Sequence, residues 1–200
     1  MLYPVNEIFY SIQGEGFHAG TPAVFIRLAG CNLSCPWCDT NHSEKMKLSE
    51  SDILAQVLTI GGDAPLIVIT GGEPTIHKLI PLLKQLEKGH SGITAIETNG
   101  TEPLRNDLKY SQMTGLVDWL TLSPKPQEPP KHSILSRVHE VKVVFDGVVD
   151  PHDYWTAYLA GKHRLFIQPC SEDFAPAIQY VLDHPDWRLS VQTQKIIGVR

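Results

Sequence analysis

Short apolar runs rich in β-branched residues alternate along this chain with segments whose apolar residues recur every three or four positions. Residues 24–28 read Val-Phe-Ile-Arg-Leu, a strand. Residues 49–60 read as a helix, with Ile53, Leu54, Val57 and Leu58 on one face and a capping box made by Ser49 and Asp52. A buried strand is predicted over 65–69. Helical spacing returns over 76–88, where Ile76, Leu79, Ile80, Leu83 and Leu86 share a face and Gly89 stands just past the end. Pro81 lies inside that span and weakens it locally. Strands are predicted over 93–96, 117–122, 141–145 and 165–167, a short helix over 154–159, a helix over 175–182 and a last strand over 189–191.

Strand and helix in alternation are the signature of parallel βα units. The strands are almost wholly apolar, as strands covered on both faces should be. The Pro-rich stretch 123–130 reads as a loop, because the alternation continues across it, and residues 1–200 read as a single domain. In such folds the chemistry gathers beyond the carboxyl ends of the strands. The segments that matter are therefore 30–42, 70–75, 97–101, 123–126 and 168–171.

Composition narrows the class. The chain has 200 residues, 42% hydrophobic and 20% charged, enough for a core without disulfide staples. Net charge is 17 − 22 = −5, which counts against a nucleic-acid binder held by phosphate contacts. The strongest apolar run, Leu66-Ile67-Val68-Ile69, is far short of the ~20 residues of a membrane span. The amino-terminal MLYPVNEIF lacks a secretory pattern, which points to the cytoplasm, where thiols stay reduced. The four cysteines then need metal, catalysis or burial to explain them.

Three of them fall in Cys31-Asn32-Leu33-Ser34-Cys35-Pro36-Trp37-Cys38, directly after the first predicted core strand. Thiolates at this spacing on one loop can converge on a metal centre. Zinc is one reading, because His42 completes a Cys3His set on paper. Three inert buried thiols are disfavoured, since Asn32, Pro36 and Asp39 make the segment a loop. Cys170, at the end of a later strand, reads as a packed small hydrophobe.

The remaining strand ends supply polar groups. In Thr70-Gly71-Gly72-Glu73-Pro74 the glycines let backbone approach a ligand, and Glu73 offers an acceptor for an ammonium. Thr98, Asn99 and Ser123 suit hydroxyls and a carboxylate, and Lys125 can pair with a carboxylate. Gly14 and Gly16 flank Glu15 and expose backbone for recognising a flat heterocycle. Arg27 stands inside an apolar strand, where a cation must be paired. Its partner is either an internal glutamate (Glu15, Glu73 or Glu97) or the carboxylate of a substrate.

The Cys-x3-Cys-x2-Cys loop followed by Gly71-Gly72-Glu73 resembles the radical S-adenosylmethionine (SAM) enzymes. SIQGEG, FIRLAGCNLSCPWCDT, TGGEP, ETNGT, SPK and VQTQKIIG together resemble the 7-carboxy-7-deazaguanine synthase family of that group, from Asn6 to Gly198. The resemblance implies an α/β fold, a partial parallel (β/α)6 barrel with an amino-terminal extension and reduced helices. It implies a lyase that contracts the ring of 6-carboxy-5,6,7,8-tetrahydropterin to 7-carboxy-7-deazaguanine with loss of ammonia, on the route to queuosine in tRNA. A [4Fe–4S] cluster, SAM, Mg2+, a homodimer and a flavodoxin-like electron donor go with it. Carried onto this chain, Cys31, Cys35 and Cys38 hold the cluster and Thr40 the magnesium. Trp37, Gly72, Glu73, Ser123, Pro124, Lys125, Gln168, Pro169, Cys170 and Ser171 hold SAM, and Ile12, Gln13, Gly14, Arg27 and Thr70 the substrate. The family's tail often reads Thr-His-Lys where this chain has Thr193-Gln194-Lys195, which puts a histidine contact to substrate in question. A glycyl-radical activating enzyme or a zinc module are the alternatives; the first leaves SIQGEG unexplained.

Overall fold

A computed structural model describes residues 1–102, 115–147, 151 and 164–200. The helix expected over 154–159 lies outside the described residues. The chain opens with β1 (Leu2–Ile12), which turns back antiparallel along β2 (Pro22–Leu28). The short β3 (Met46–Ser49) pairs with the other side of β1. Parallel strands then add outward from β2: β4 (Leu66–Gly71), β5 (Ile93–Thr98), β6 (Trp119–Leu122), β7 (Glu140–Phe145), β8 (Arg164–Pro169) and β9 (Trp187–Leu189). The order is β3-β1-β2-β4-β5-β6-β7-β8-β9, an open sheet. Strands β2, β4, β5, β6, β7 and β8 are the six of the expected partial barrel, and β1 with β3 is the amino-terminal extension.

Among the described residues the helices are α1 (Glu50–Gly61), α2 (Ile80–Gly89), α3 (His132–Leu135), α4 (Ala175–Asp183) and a last turn α5 (Thr193–Ile196). The Ser49–Asp52 capping box of α1 is formed in both directions. Pro81 does not interrupt a helix. It lies in the first turn of α2, where its missing N–H leaves no bond unmade, while Pro74–Ile76 forms a separate 3-10 turn. Gly89 is the last residue of α2 and not the one beyond it. The crossover from β6 to β7 carries only the four-residue α3, so the helical layer is thin there. The last strand is Trp187–Leu189; Ser190 bonds Ile167 O, and the chain then leaves the sheet.

Side-chain parity assigns the two faces of the sheet. Val24, Ile26, Leu28, Ile67, Ile69, Ile96, Val141 and Val143 face the helices and join the main core with Ile53, Val57, Leu82, Leu83 and Leu86. The residues between them face inward. Phe9, Ala23, Phe25, Leu66, Val68 and Ala95 make a second, smaller apolar cluster that plugs the amino-terminal end of the barrel. One step further along the same inner positions the chemistry changes, to Arg27, Thr70, Glu97 and Lys142.

Candidate active site

Register brings those four residues together. Arg27 is opposite Thr70, Ile69 is opposite Ile96, and Thr121 links Glu97 to Glu140. They form the floor of a cavity of about 710 Å³ at the carboxyl ends of the strands. Thr70 donates to Glu97 Oε2 at 3.0 Å, and Gln13 Nε2 donates to Glu97 Oε1 at 3.2 Å. Lys142, buried on β7, contacts Glu15 and stands 3.8 Å from Glu97 Oε1.

The turn between β1 and β2 closes one side. Gln13 and Thr21 pair, Gly20 N donates to Gln13 O, and Gly16 turns at φ 65. A Cβ at Gly16 would meet Glu140 Oε1 at 2.4 Å, so that turn needs a glycine. Burial would push Glu15 up. The ammonium of Lys142 and the amides of Gln192 and Gln194 outweigh this and hold its carboxyl at about 2. Burial likewise disfavours the ammonium of Lys142, and Glu15 and Glu97 overturn that and hold it well above its ordinary value.

The cysteine loop lies across the cavity. Gly30 N donates to His42 O and Glu73 N donates to Gly30 O, which fixes both ends of the loop against the β4 exit. A Cβ at Gly72 would stand 2.0 Å from Gly30 O and 3.0 Å from Cys31 Cβ. Asn32 ties the loop sideways: it donates to Thr101 Oγ1 at 2.7 Å and accepts from Asn99 at 3.1 Å. Cys31, Cys35 and Cys38 are free thiols that all line the cavity. Burial pushes the Cys31 and Cys35 thiols up, and each also feels the charge of the neighbouring thiolates. A multi-iron cluster relieves this by supplying positive charge. Among the described residues no three His, Cys, Asp or Glu side chains are gathered around a point that would hold one ion. A cluster holds its thiolates further apart than a single ion does, so three free thiols around one cavity fit it. Trp37 Nε1 is buried without a hydrogen-bond partner beside them.

Of the residues expected at the site, Ile12, Gln13, Gly14, Arg27, Thr70, Trp37, Thr40, Gly72, Ser123, Lys125, Gln168, Pro169 and Cys170 line this cavity with the three cysteines. Glu73, Pro124 and Ser171 do not. Glu73 is turned inward: its carboxylate accepts from Thr75 N at 3.0 Å, Thr75 Oγ1 at 2.6 Å, Thr98 Oγ1 at 2.6 Å and Asn99 N at 2.7 Å. It therefore braces the segments after β4 and β5, buried behind the cavity wall. Cys170 is exposed to the cavity and is not a packed hydrophobe. Arg27 is half-buried, and its acidic neighbour is none of Glu15, Glu73 or Glu97. It is Glu7, its cross-strand partner on β1, 3.0 Å away but off the hydrogen-bond direction, so Nε–H stays unbonded. Lys125 donates to Ser123 O and Oγ, and burial with the nearby Lys142 brings it down to about 8.

Several cavity residues were assigned no role from the sequence: Glu97 and Lys142 on the floor, and Gln192 from the tail; Gln194 and Lys195, of the tail motif whose contact was left in question, line the cavity too. Lys142 carried the same signal as Arg27, a lone cation between Val141 and Val143. The tail reaches back across the molecule. Thr193 N donates to Gly14 O, Gln192 donates to Glu15 and Asp39, and Lys195 pairs with Asp39 beside the last cysteine of the loop.

The profile of the radical SAM superfamily matches residues 25–158. A protein of Bacteroides thetaiotaomicron named 7-carboxy-7-deazaguanine synthase is 41% identical over 201 residues, covering all of both chains. One of Escherichia coli with the same name is 35% identical over 232 aligned positions, again covering both chains in full. The crystal structure of QueE from Escherichia coli superposes with a TM-score of 0.79 at 34% identity, over 96% of this chain and 95% of that one.

Proposed function

We infer, from a chain that belongs to the 7-carboxy-7-deazaguanine synthase family of radical SAM enzymes, that this cavity carries out the family's reaction. That reaction is the ring contraction of 6-carboxy-5,6,7,8-tetrahydropterin to 7-carboxy-7-deazaguanine with loss of ammonia, in deazapurine biosynthesis. The observation that carries the reading is the sharing of one cavity by three free thiols and a polar floor of Arg27, Thr70, Glu97 and Lys142. When bound, the [4Fe–4S] cluster and SAM supply a carbon-centred radical that removes one hydrogen atom from the substrate and returns it.

The chain's own residues bind, orient and enclose. Cys31, Cys35 and Cys38 would ligate three irons. The backbone at Gly72, together with Trp37, Ser123, Lys125, Gln168, Pro169 and Cys170, would line the SAM side, with Lys125 facing its carboxylate. Glu73, Pro124 and Ser171 would act from behind that wall. Ile12, Gln13, Gly14 and Thr70 would hold the heterocycle. Arg27, whose Nε–H lacks an acceptor, would take the substrate carboxylate and so fix the carbon that bears it. Thr40 would give a hydroxyl oxygen to magnesium, a hard cation that keeps several waters. A homodimer, a flavodoxin-like electron donor and a cytoplasmic setting complete the proposal. Among the described residues no helix is long and apolar enough to cross a membrane.

The test is anaerobic reconstitution with iron and sulfide, followed by turnover with the carboxypterin and detection of the deazapurine. Formation of 7-carboxy-7-deazaguanine is the expected result. A protein that keeps a full cluster and cleaves SAM but leaves the carboxypterin untouched would assign the cavity to a different substrate.

A further inference from the structure

Lys142 does not belong to any of the loops that carry the thiols or the SAM wall. It sits within β7, with its side chain 5% exposed, and is one of the residues that line the cavity. Carboxylates approach it from three elements. Glu15 contacts it from the β1–β2 turn, Glu97 lies 3.8 Å away at the end of β5, and Glu140 precedes it on the same face of β7. Glu140 is occupied elsewhere: it accepts from Phe17 N at 2.8 Å and from Thr121 Oγ1 at 2.9 Å. Burial pushes Glu140 up. From the loop after β6 the facing group is another cation, Lys125. From β8 and the tail the facing groups are the uncharged amides of Gln168, Gln192 and Gln194, together with Lys195, whose charge is paired with Asp39. Asp39 adds negative charge on the far side of Glu15.

Glu15 and Glu97 are joined through Gln13, which donates to Glu97 and accepts from Glu15 N. Carboxylate oxygens of Glu15 and Glu97 both lie within 4 Å of Lys142 Nζ, so without that ammonium two like charges would face one another, an arrangement that favours a shared proton. A protonated member would turn an acceptor into a donor. A pterin places an amino group beside a ring N–H, two adjacent donors that suit ionised carboxylates and clash with a carboxylic acid proton.

We propose that Lys142 is a positioning residue, the fixed counter-ion that keeps Glu15 and Glu97 ionised so that they accept the N–H edge of an uncharged heterocycle. This rests on the carboxypterin reading above. Lys142 does not touch the reacting carbon in this scheme; it acts through the two glutamates.

The experiment uses reconstituted holoenzyme and compares wild type with Lys142→Met and Lys142→Arg. For wild type and Lys142→Arg, KM for the carboxypterin should stay level between about pH 6 and about pH 9. For Lys142→Met, KM should rise roughly tenfold or more at the acid end and approach wild type at the alkaline end, because the carboxylates ionise again there. The effect should lie in KM far more than in kcat. Infrared spectra of the same proteins without substrate should show a protonated carboxyl carbonyl band near neutral pH in Lys142→Met, absent from wild type. If Lys142→Met does not fold, the neutral hydrogen-bonding variant Lys142→Gln takes its place, with the same expected outcomes. A pH-independent rise in KM, a loss confined to kcat, or no new carboxyl band overturns the proposal. If wild type itself fails to convert the carboxypterin, the ring-contraction reading falls, while the infrared comparison still decides the counter-ion.

Discussion

Arg27 and Lys142 are single cations inside apolar strands, yet the structure gives them different surroundings. Lys142 is enclosed and has carboxylates in contact, so its charge is spent within the protein. Arg27 is partly buried, paired by charge with Glu7 and set over Phe9 at 5.7 Å, with Nε–H unbonded. Glu7 also pairs with Arg200, so removing Arg27 does not strand its carboxylate. Arg27→Ala should therefore leave the unfolding temperature close to wild type. If the guanidinium takes the substrate carboxylate, the same change should raise KM for the carboxypterin roughly 10–100-fold. Thermal unfolding beside anaerobic kinetics checks both halves; a badly destabilised variant with unchanged KM removes Arg27 from the site. Thr40 meets a parallel test. Its hydroxyl has only a long bond to Asp39 Oδ1 at 3.4 Å, so Thr40→Ala costs the fold little. The variant should need more magnesium for half-maximal turnover, and Thr40→Ser should restore the wild-type titration, because a hard cation needs the oxygen alone. Among the cysteines, any one of Cys31, Cys35 or Cys38 changed to Ala should lose the bound iron and its visible absorption after anaerobic reconstitution. Cys170→Ser should keep both, since Cys170 lies on the β8 loop, apart from the other three.

At the scale of elements, the parallel strands were legible because each is a short apolar run between turn residues, and the site loops followed from where those runs end. β1 was not legible. Its alternation breaks at a register shift between Val5 and Glu7, which buries the polar Asn6 next to Val5, and Pro4 lies within it. Missing β1 meant missing Glu7, and with it the true neighbour of Arg27. Glu73 shows the opposite limit. The motif was visible, but the direction of its carboxylate depends on Thr75 in the 3-10 turn after β4 and Thr98 at the end of β5. The glycines of the same motif are where backbone contact decides the outcome. Gly71 has φ 129, and Gly72 leaves no room for a methyl beside Gly30 O. Gly72→Ala should push the β4 exit away from the cysteine loop. The expected result is a folded protein that takes up much less iron, read by circular dichroism and iron analysis; normal cluster content would show that the two loops can part without harm.

At the scale of the whole molecule, three distant parts of the chain converge on Glu15: the β1–β2 turn that carries it, Lys142 of β7, and the tail amides of Gln192 and Gln194. None of these meetings is visible from local pattern, because they depend on how the sheet curls and where the tail returns. They make Glu15 a site where acid acts on the fold. Its carboxyl is held at about 2, below the ordinary 4.5 of a glutamate, with burial opposing and Lys142 and the two amides prevailing. A carboxyl lowered in the folded state favours folding fully above its unfolded value, and that contribution is lost as pH falls from about 4.5 to about 2. The amount is up to roughly 3 kcal/mol, less whatever Glu97 recovers by staying beside Lys142. Unfolding free energy should thus be level above about pH 5 and fall steeply below it. In Glu15→Gln the plateau should be lower, because Lys142 keeps one less counter-charge, and the acid slope should be shallower, because the group that titrates is gone. Denaturant titrations at a series of pH values measure both. An acid slope in Glu15→Gln as steep as in wild type would place the acid sensitivity in other carboxylates and leave the tail's hold on the β1–β2 turn independent of charge.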